Sequence, residues 1–206
     1  MTLTGNSSLI DPGFDSPPGN PLLLLKQWLD KAEELKVLEP RGFVLATVDK
    51  LGHPSSMVVL LKDLDDKGVI FSCSSISQKG RDLADKPFAS GTLWWRETMQ
   101  QVNFSGSVTI LPDDISDAVF NDRTIEAKAV AVTSSQSELM DNEANLRAEV
   151  IKLIEMSKPI YRPKTWNAYH VLIHKIEFCH GSLDRFHRRL RYNLVNKNWQ
   201  YHKLQP

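Results

Sequence analysis

Three short stretches of this chain bring chemically able side chains together. The first is Ser74-Ser75-Ile76-Ser77-Gln78-Lys79-Gly80-Arg81, which reads as the passage from a strand into a helix. Free backbone N–H groups, hydroxyls and a cation at a helix start suit a phosphate. The same residues also make an ordinary solvated N-cap. The second is Arg185-Phe186-His187-Arg188-Arg189. In an extended chain Arg185, His187 and Arg189 project to one face. Two guanidinium groups around an imidazole would hold an anionic substrate beside a proton-transfer group. From residue 185 to the end there are six Lys or Arg and no Asp or Glu, so a basic edge strand that discourages aggregation fits equally well. The third is His170 with His174, whose helical spacing would suit zinc. That segment alternates like a strand, so the spacing loses its meaning and no metal site is expected. Trp94-Trp95 reads as one core and one rim residue.

Other chemistries are excluded by what is missing. There is no GxGxxG after a strand, no Walker loop, no HExxH and no GxSxG. Two cysteines, Cys73 and Cys179, are too few for a disulfide framework or a four-thiolate metal site. Lys plus Arg and Asp plus Glu are 25 each, so the basic excess of a nucleic-acid binder is absent. With 41% hydrophobic and 24% charged residues, the chain has the composition of a globular domain rather than a disordered one. No apolar run reaches membrane-spanning length, and no basic region precedes an apolar stretch at the start. The expected location is cytoplasmic, with no nucleic-acid or membrane partner.

The elements that must position these groups follow from periodicity and turn chemistry. Residues 1–20, rich in Pro, Gly, Ser and Asn, predict a loose arm or one ordered by contact. The remainder, 21–206, predicts a single domain. Leu23, Leu24, Trp28, Ala32 and Leu35 recur at helical spacing over 21–36. Three strands joined by turns follow at 42–49, 55–61 and 68–73, with glycine at both turns. A short helix over 77–85, stopped by Pro87, precedes strands at 89–95 and 100–111. Pro112-Asp113-Asp114 opens a helix, and residues from Ser135 or Gln136 to Met156 predict the longest helix. Residues 168–178 alternate, with Val171 and Ile173 on one face and Leu172, His174 and Ile176 on the other. Final strands are expected at 189–192 and 199–204. Six or seven strands without strict βαβ alternation predict an α+β protein, an antiparallel barrel with peripheral helices.

Several segments carry a resemblance over most of the chain. They are EPRGFVLATVDKLGHPSSMVVLLK (39–62), GVIFSCSSISQKGRDLADKPFASGTLWW (68–95), QQVNFSGSV (100–108), SSQS (134–137) and IEFCHGSLDRFHRRLRY (176–192). In order and spacing they resemble the pyridoxamine 5′-phosphate oxidase superfamily. That resemblance implies a split β-barrel homodimer with FMN at the subunit interface. It implies flavin contacts from Met57, Val58, Val59, Leu60, Leu61 and Lys62, and from Ser72 and Cys73 near the ribityl phosphate. Gln78 and Lys79 match a basic pair that holds the phosphate, and Gln101 matches a glutamine that bonds the flavin. Gln136 and Ser137 match a pair contributed by the other subunit. Cys179 and Arg189 fall where the family has a tryptophan and an arginine near the flavin. Arg185 and His187 match the catalytic pair that faces the substrate.

Departures narrow the expected reaction. Met57 replaces an arginine that usually begins the flavin strand. The family's vitamin-B6 enzymes bind the substrate phosphate with a tyrosine, an arginine and a serine, and here those places hold Val119, Arg123 and Ala127. The segments SGTLWWRETMQQ (90–101), SSQSELMDN (134–142) and RLRYNLVNKNWQYHKLQP (189–206), with the Leu3-Thr4-Gly5 near the start, are instead similar to the phenazine-biosynthesis branch. The implied activity is an FMN-dependent oxidase of reduced tricyclic phenazine carboxylates, with hydride to flavin N5 and reoxidation by O2 to H2O2. Arg123, Arg185 and His187 would meet the substrate. A vitamin-B6 oxidase and a non-catalytic flavin- or tricycle-binding protein are the alternatives.

Overall fold

The computed structural model describes residues 5–206. Leu3 and Thr4 of the N-terminal resemblance, and the first four residues of the expected arm, lie outside the described residues.

Helix α1 (Pro21–Glu34) begins where local chemistry tells it to. The Asn20 side chain accepts from Leu22 N, and Pro21 takes the first turn, where its missing N–H costs nothing. The helix ends with Lys36 in the left-handed region at φ 55° and Val37 N bonded back to Ala32 O. Its inner face buries Leu22, Leu25, Trp28, Leu29 and Ala32. Trp28 packs edge-on to Phe178 and lies beside Trp95. Burial of each such large apolar side chain contributes roughly 1.5–3 kcal/mol.

Nine antiparallel strands form one sheet: β1 (Gly42–Val48), β2 (Pro54–Leu60), β3 (Asp63–Leu64), β4 (Gly68–Ser74), β5 (Phe88–Trp95), β6 (Gln100–Ile110), β7 (Trp166–His180), β8 (Arg188–Val195) and β9 (Asn198–Leu204). The paired order is β2-β1-β5-β6-β7-β4-β3, with β8 on the other part of β7 and β9 on β8. Strand β2 comes near β4 without pairing to it. The barrel is therefore split between those two strands. Phe43, Phe71, Leu93, Phe104, Ile176 and Phe178 fill its interior. Gly91 leaves the room that the Phe104 ring occupies, since a Cβ there would lie 2.1 Å from Phe104 Cζ. Helices α2 (Gln78–Asp85), α3 (Asp113–Asn121), α4 (Ile125–Thr133) and α5 (Glu143–Glu155) complete the fold.

The α+β split-barrel expectation is met, with four differences. Nine strands form rather than six or seven, because both candidate final strands form, as β8 and β9, and the two-residue β3 is added. The long helix from 135 to 156 is broken. Segment 134–142 is irregular, Ser137 takes φ 77°, and α5 starts only after Asn142 accepts from Asn145 N. Ser, Asn and Asp side chains there compete for backbone bonds that a helix would need. Helix α4, capped by Thr124 accepting from Ala127 N, was not expected from periodicity. A bulge opposite Ser105 and Gly106 shifts the phase of β7. Ile176 therefore joins Val171 and Ile173 in the core, and His174 is exposed.

Residues 5–20 are pinned to the domain rather than loose. Phe14 is 1% exposed and stacks on Trp28. Trp28 Nε1 donates to Pro12 O, Tyr192 OH donates to Pro18 O at 2.9 Å, and Asp15 pairs with Arg188 and Lys203. One buried aromatic and these anchors hold a segment whose composition alone could not.

Candidate active site

A cleft of about 660 Å³ opens at the split in the barrel. Its floor is β2 and β4, and its far wall is α4, the 134–142 segment and the start of α5. Met57, Val58, Val59, Leu60, Lys62, Ser72, Cys73, Lys79, Gln136, Ser137 and Arg123 all line it, so most residues expected at a flavin phosphate meet here. Leu61 does not, because it turns into the core at 1% exposure.

Lys79 dominates the electrostatics of this cleft. It sits in the first turn of α2 behind the Ser77 cap and is 3% exposed. Its Nζ donates to Gln136 Oε1 at 3.2 Å, and among the described residues no carboxylate pairs with it. Desolvation holds its pKa below the ordinary lysine value. A buried ammonium without a carboxylate is costly, and an anion bound in the cleft offsets that cost. Beside it burial pushes the Cys73 thiol up to about 11, so Cys73 is a small uncharged wall.

The Gln78 side chain is bonded to neighbours on its own helix. Its side-chain Nε2 donates to Asp82 Oδ1 at 2.8 Å and its Oε1 accepts from Arg81. Asp82 is itself buried and also accepts from Thr47 and Ser55. Only the Gln78 backbone faces the site, with its N–H donating to Ser137 Oγ at 3.1 Å. Gln136 and Ser137 thus meet Lys79 and Gln78 of their own chain, where the resemblance implies the other subunit. The left-handed backbone at Ser137 is the kind of strain that persists where a site fixes it.

Arg123 stands at the opposite side of the cleft. Its guanidinium lies over the Trp166 ring, 5.2 Å from the centroid, and one terminal nitrogen donates to Ala127 O at 3.1 Å. Its buried Nε has no partner. A partly desolvated guanidinium with donors to spare suits a second anion. Sequence reasoning missed the apolar wall here, made by Val130, Leu139, Met140 and Leu146. An LM pair flanked by polar residues was its only local signal.

The other expected residues lie apart from this cleft. Register places Gln101 opposite Cys179, and Cys179 opposite Arg189, as one row on the outward face of β6, β7 and β8. Arg189 is gripped by Glu177 through Nε and a terminal nitrogen, at 2.8 and 2.6 Å, and Arg191 takes the other carboxylate oxygen. Its charge is thereby committed within the fold. Burial raises the pKa of the Cys179 thiol. His187 and Arg189 also line a smaller pocket of about 390 Å³ with Phe14, Arg188 and the C-terminal residues.

Arg185, His187 and Arg189 do not share one extended face. Strand β8 begins only at Arg188, and residues 182–187 form a turn closed by Arg185 N bonding to Ser182 O, with Arg185 at φ 70°. The His187 ring is held by Ser182 N donating to Nδ1 at 3.0 Å. That bond makes Nδ1 the acceptor and leaves Nε2 to carry the proton of the neutral ring. His170 and His174 take different partners, Asp65 at 3.1 Å and Ser107 at 3.3 Å.

The comparisons give the class of protein to which this split antiparallel barrel belongs, the pyridoxamine 5′-phosphate oxidase-like oxidoreductases. Residues 29–156 match the family model for pyridoxamine 5′-phosphate oxidase, and residues 166–206 match that for the pyridoxine 5′-phosphate oxidase C-terminal dimerisation region. The chain belongs to the pyridoxamine 5′-phosphate oxidase family. A dihydrophenazinedicarboxylate synthase from Burkholderia lata is 40% identical over 206 residues, covering 100% of this chain and 97% of that protein. A protein of the same description from Pseudomonas chlororaphis is 35% identical over 205 residues, covering 100% and 92%. A crystal structure of PhzG from Burkholderia lata, in complex with tetrahydrophenazine-1-carboxylic acid, superposes with a TM-score of 0.95 at 38% identity, covering 98% of this chain and 100% of that one. Among the described residues no helix is long and apolar enough to cross a membrane.

Proposed function

We propose that this chain is an FMN-dependent oxidase that dehydrogenates reduced phenazine carboxylic acids towards the aromatic phenazine. The observation that carries the reading is Lys79, a buried ammonium with only an amide partner, facing a cleft of flavin-phosphate size. When bound there, FMN supplies the two-electron acceptor: hydride from the reduced ring to N5, and electrons onward to O2 to give H2O2.

The chain's own groups bind and orient. Lys79, Gln136 and Ser137 hold the phosphate, with the backbone around the Ser77 cap. Arg123 takes a substrate carboxylate through its spare donors. Arg185 and His187 belong to the second half of the site, on the side of the protomer that carries Gln101, Cys179 and Arg189. A homodimer would close one half onto the other, and the match of residues 166–206 to a dimerisation region supports that arrangement. The Nε2 N–H of His187 donates a hydrogen bond to the substrate and so orients the ring, and the proton that the ring loses along with the hydride passes to solvent. The loss of hydroxyls at Val119 and Ala127 disfavours pyridoxine phosphate, since Ala127 offers Arg123 only its carbonyl. A cytoplasmic location suits an enzyme of this kind.

The test is the visible spectrum of the purified protein with added FMN. A protein-shifted flavin band, bleached anaerobically by a dihydrophenazine carboxylate and not by pyridoxine phosphate, is the expected result. Bleaching by pyridoxine phosphate alone would move the chain to vitamin-B6 chemistry. Absence of flavin binding at excess FMN would withdraw the enzyme reading.

A further inference from the structure

Residues 182–187 rise from the end of β7 as a turn, and two of them are Arg185 and His187. The foot of this turn is fixed. Gly181 N donates to Met99 O at 2.7 Å, and Met99 is 1% exposed. A Cβ on Gly181 would lie 3.0 Å from Met99 Cβ, so the space beside it is already filled. Above that foot apolar packing does little within the protomer, since Leu183 and Phe186 are 63% and 70% exposed. Asp184 supplies what packing does not. Its Oδ1 accepts from Ser182 Oγ and from Phe186 N, the latter at 2.9 Å, and so joins the rising limb of the turn to the falling one. Between those limbs Arg185 sits at φ 70°, a backbone that a residue with a side chain keeps only where its surroundings hold it. The Ser182 hydroxyl first, and then the Phe186 N–H, hold the Asp184 carboxyl below the ordinary carboxylate value, so at neutral pH it is an acceptor only.

We infer that Asp184 is the positioning residue of this turn, the side chain that holds Ser182 where its backbone orients His187. Ser182 turns its hydroxyl to Asp184 and its N–H to His187 Nδ1, so one residue carries the restraint from carboxylate to imidazole. With Nδ1 held as an acceptor, the neutral ring keeps its proton on Nε2 and aims it in one direction. Without the carboxylate, Ser182, Arg185 and His187 gain freedom together, and the ring exchanges between its two tautomers. The role is one of geometry. It needs one oxygen that accepts two hydrogen bonds, and an asparagine side chain offers the same. This inference rests on the oxidase reading above, in which the Nε2 N–H meets the substrate, and deepens it by naming what aims that group.

The experiment compares wild type, Asp184→Ala, Asp184→Asn and Ser182→Ala. Ring nitrogen NMR shifts of the histidines are read in the FMN-free protein, with the His187 signals assigned by their loss in His187→Gln. Kd for FMN and kcat/KM for a reduced phenazine carboxylate are then measured. Wild type shows His187 as a single tautomer protonated at Nε2. Asp184→Ala mixes the two tautomers, leaves FMN affinity unchanged and lowers kcat/KM by roughly 10- to 100-fold, the scale on which small misplacements of a reacting geometry act. Asp184→Asn restores both the ring signature and kcat/KM, and Ser182→Ala, which loses one of the two bonds, falls between. A wild-type ring signature and kcat/KM in Asp184→Ala overturn the inference. Asp184→Asn as impaired as Asp184→Ala overturns it too, since charge rather than geometry would then be at work. Should Asp184→Ala fail to fold, Ser182→Ala carries the same test, and a wild-type ring signature in it overturns the inference. If wild type oxidises no reduced phenazine carboxylate, the oxidase reading falls, and the ring signature in the FMN-free protein still decides whether Asp184 holds the turn.

Discussion

Lys79 Nζ donates to Gln136 Oε1 at 3.2 Å across 57 residues of sequence, and this bond ties the start of α2 to the segment after α4. A neutral amide satisfies one of three ammonium donors and none of its charge. Replacing Lys79 by Met therefore separates two effects. FMN affinity falls by roughly 10- to 100-fold, the worth of a charged hydrogen bond. The apoprotein keeps or gains thermal stability, because an uncompensated buried charge has gone. Parallel FMN titration and thermal melts of the apoprotein check both.

The same lysine sets a pH dependence. Its folded pKa is lowered by desolvation, so between that value and the ordinary lysine value the unfolded chain holds more protons than the folded one. The lysine's contribution to apoprotein stability thus rises with pH through that window. Phosphate binding needs the ammonium, so FMN affinity runs the other way and falls through the same window. Kd for FMN measured against pH shows the loss beginning below the ordinary lysine range. Lys79→Arg, always charged, flattens the curve.

Arg123 lies over Trp166 with its buried Nε unpartnered. Arg123→Gln keeps polar bulk and loses the charge. KM for the phenazine carboxylate rises by about 10- to 100-fold, and FMN affinity is unchanged. Steady-state kinetics beside FMN titration read the two independently. A fall in FMN affinity as large as the change in KM would remove Arg123 from the substrate's carboxylate.

Glu177, with its side chain 10% exposed, holds Arg189 and Arg191 in a two-sided fork. Glu177→Gln leaves two guanidinium groups side by side without a counter-charge. Since both arginines are about one-third exposed, solvent takes up part of the loss, and the cost is about 2 kcal/mol. Urea unfolding of the variant and of Arg191→Gln measures it.

Gly106 of β6 stands opposite the bulge of β7, where a Cβ would lie 1.9 Å from the Leu172 carbonyl oxygen. That atom is backbone and cannot swing aside. Gly106→Ala costs about 3 kcal/mol, read as a lowered urea midpoint at unchanged slope. An unchanged midpoint would mean that β7 moves freely at the bulge.

Local chemistry made much of this fold legible. The apolar spacing from Leu23 to Leu35 marked α1, glycine turns marked β1, β2 and β4, and the serines before Lys79 marked the candidate anion site. Three features were not legible, each for a definite reason. Helix α4 mixes alanine with β-branched residues at Ile125, Val130 and Val132 and shows no apolar stripe. The break at 134–142 depends on Ser137 adopting a left-handed backbone, which serine rarely does. Arg185 and His187 were placed on one face with Arg189 by simple alternation, and the Ser182 turn cancels it. The row that joins Gln101, Cys179 and Arg189 is a matter of strand register between distant segments. No window of sequence contains it, and only the resemblance named those residues together.

The anchoring of residues 5–20 also bears on how the chain is made. Pro18 waits for Tyr192, and Asp15 for Lys203, partners 174 and 188 residues downstream. Synthesis runs at roughly 5–20 residues per second, so on the order of ten seconds or more pass between each of these residues and its partner leaving the ribosome. Through that interval Phe14 and the apolar side of α1 have no finished surface to rest on. The nascent chain is then most exposed to chaperones and to other copies of itself, and β8 and β9 are the strands that end the exposure.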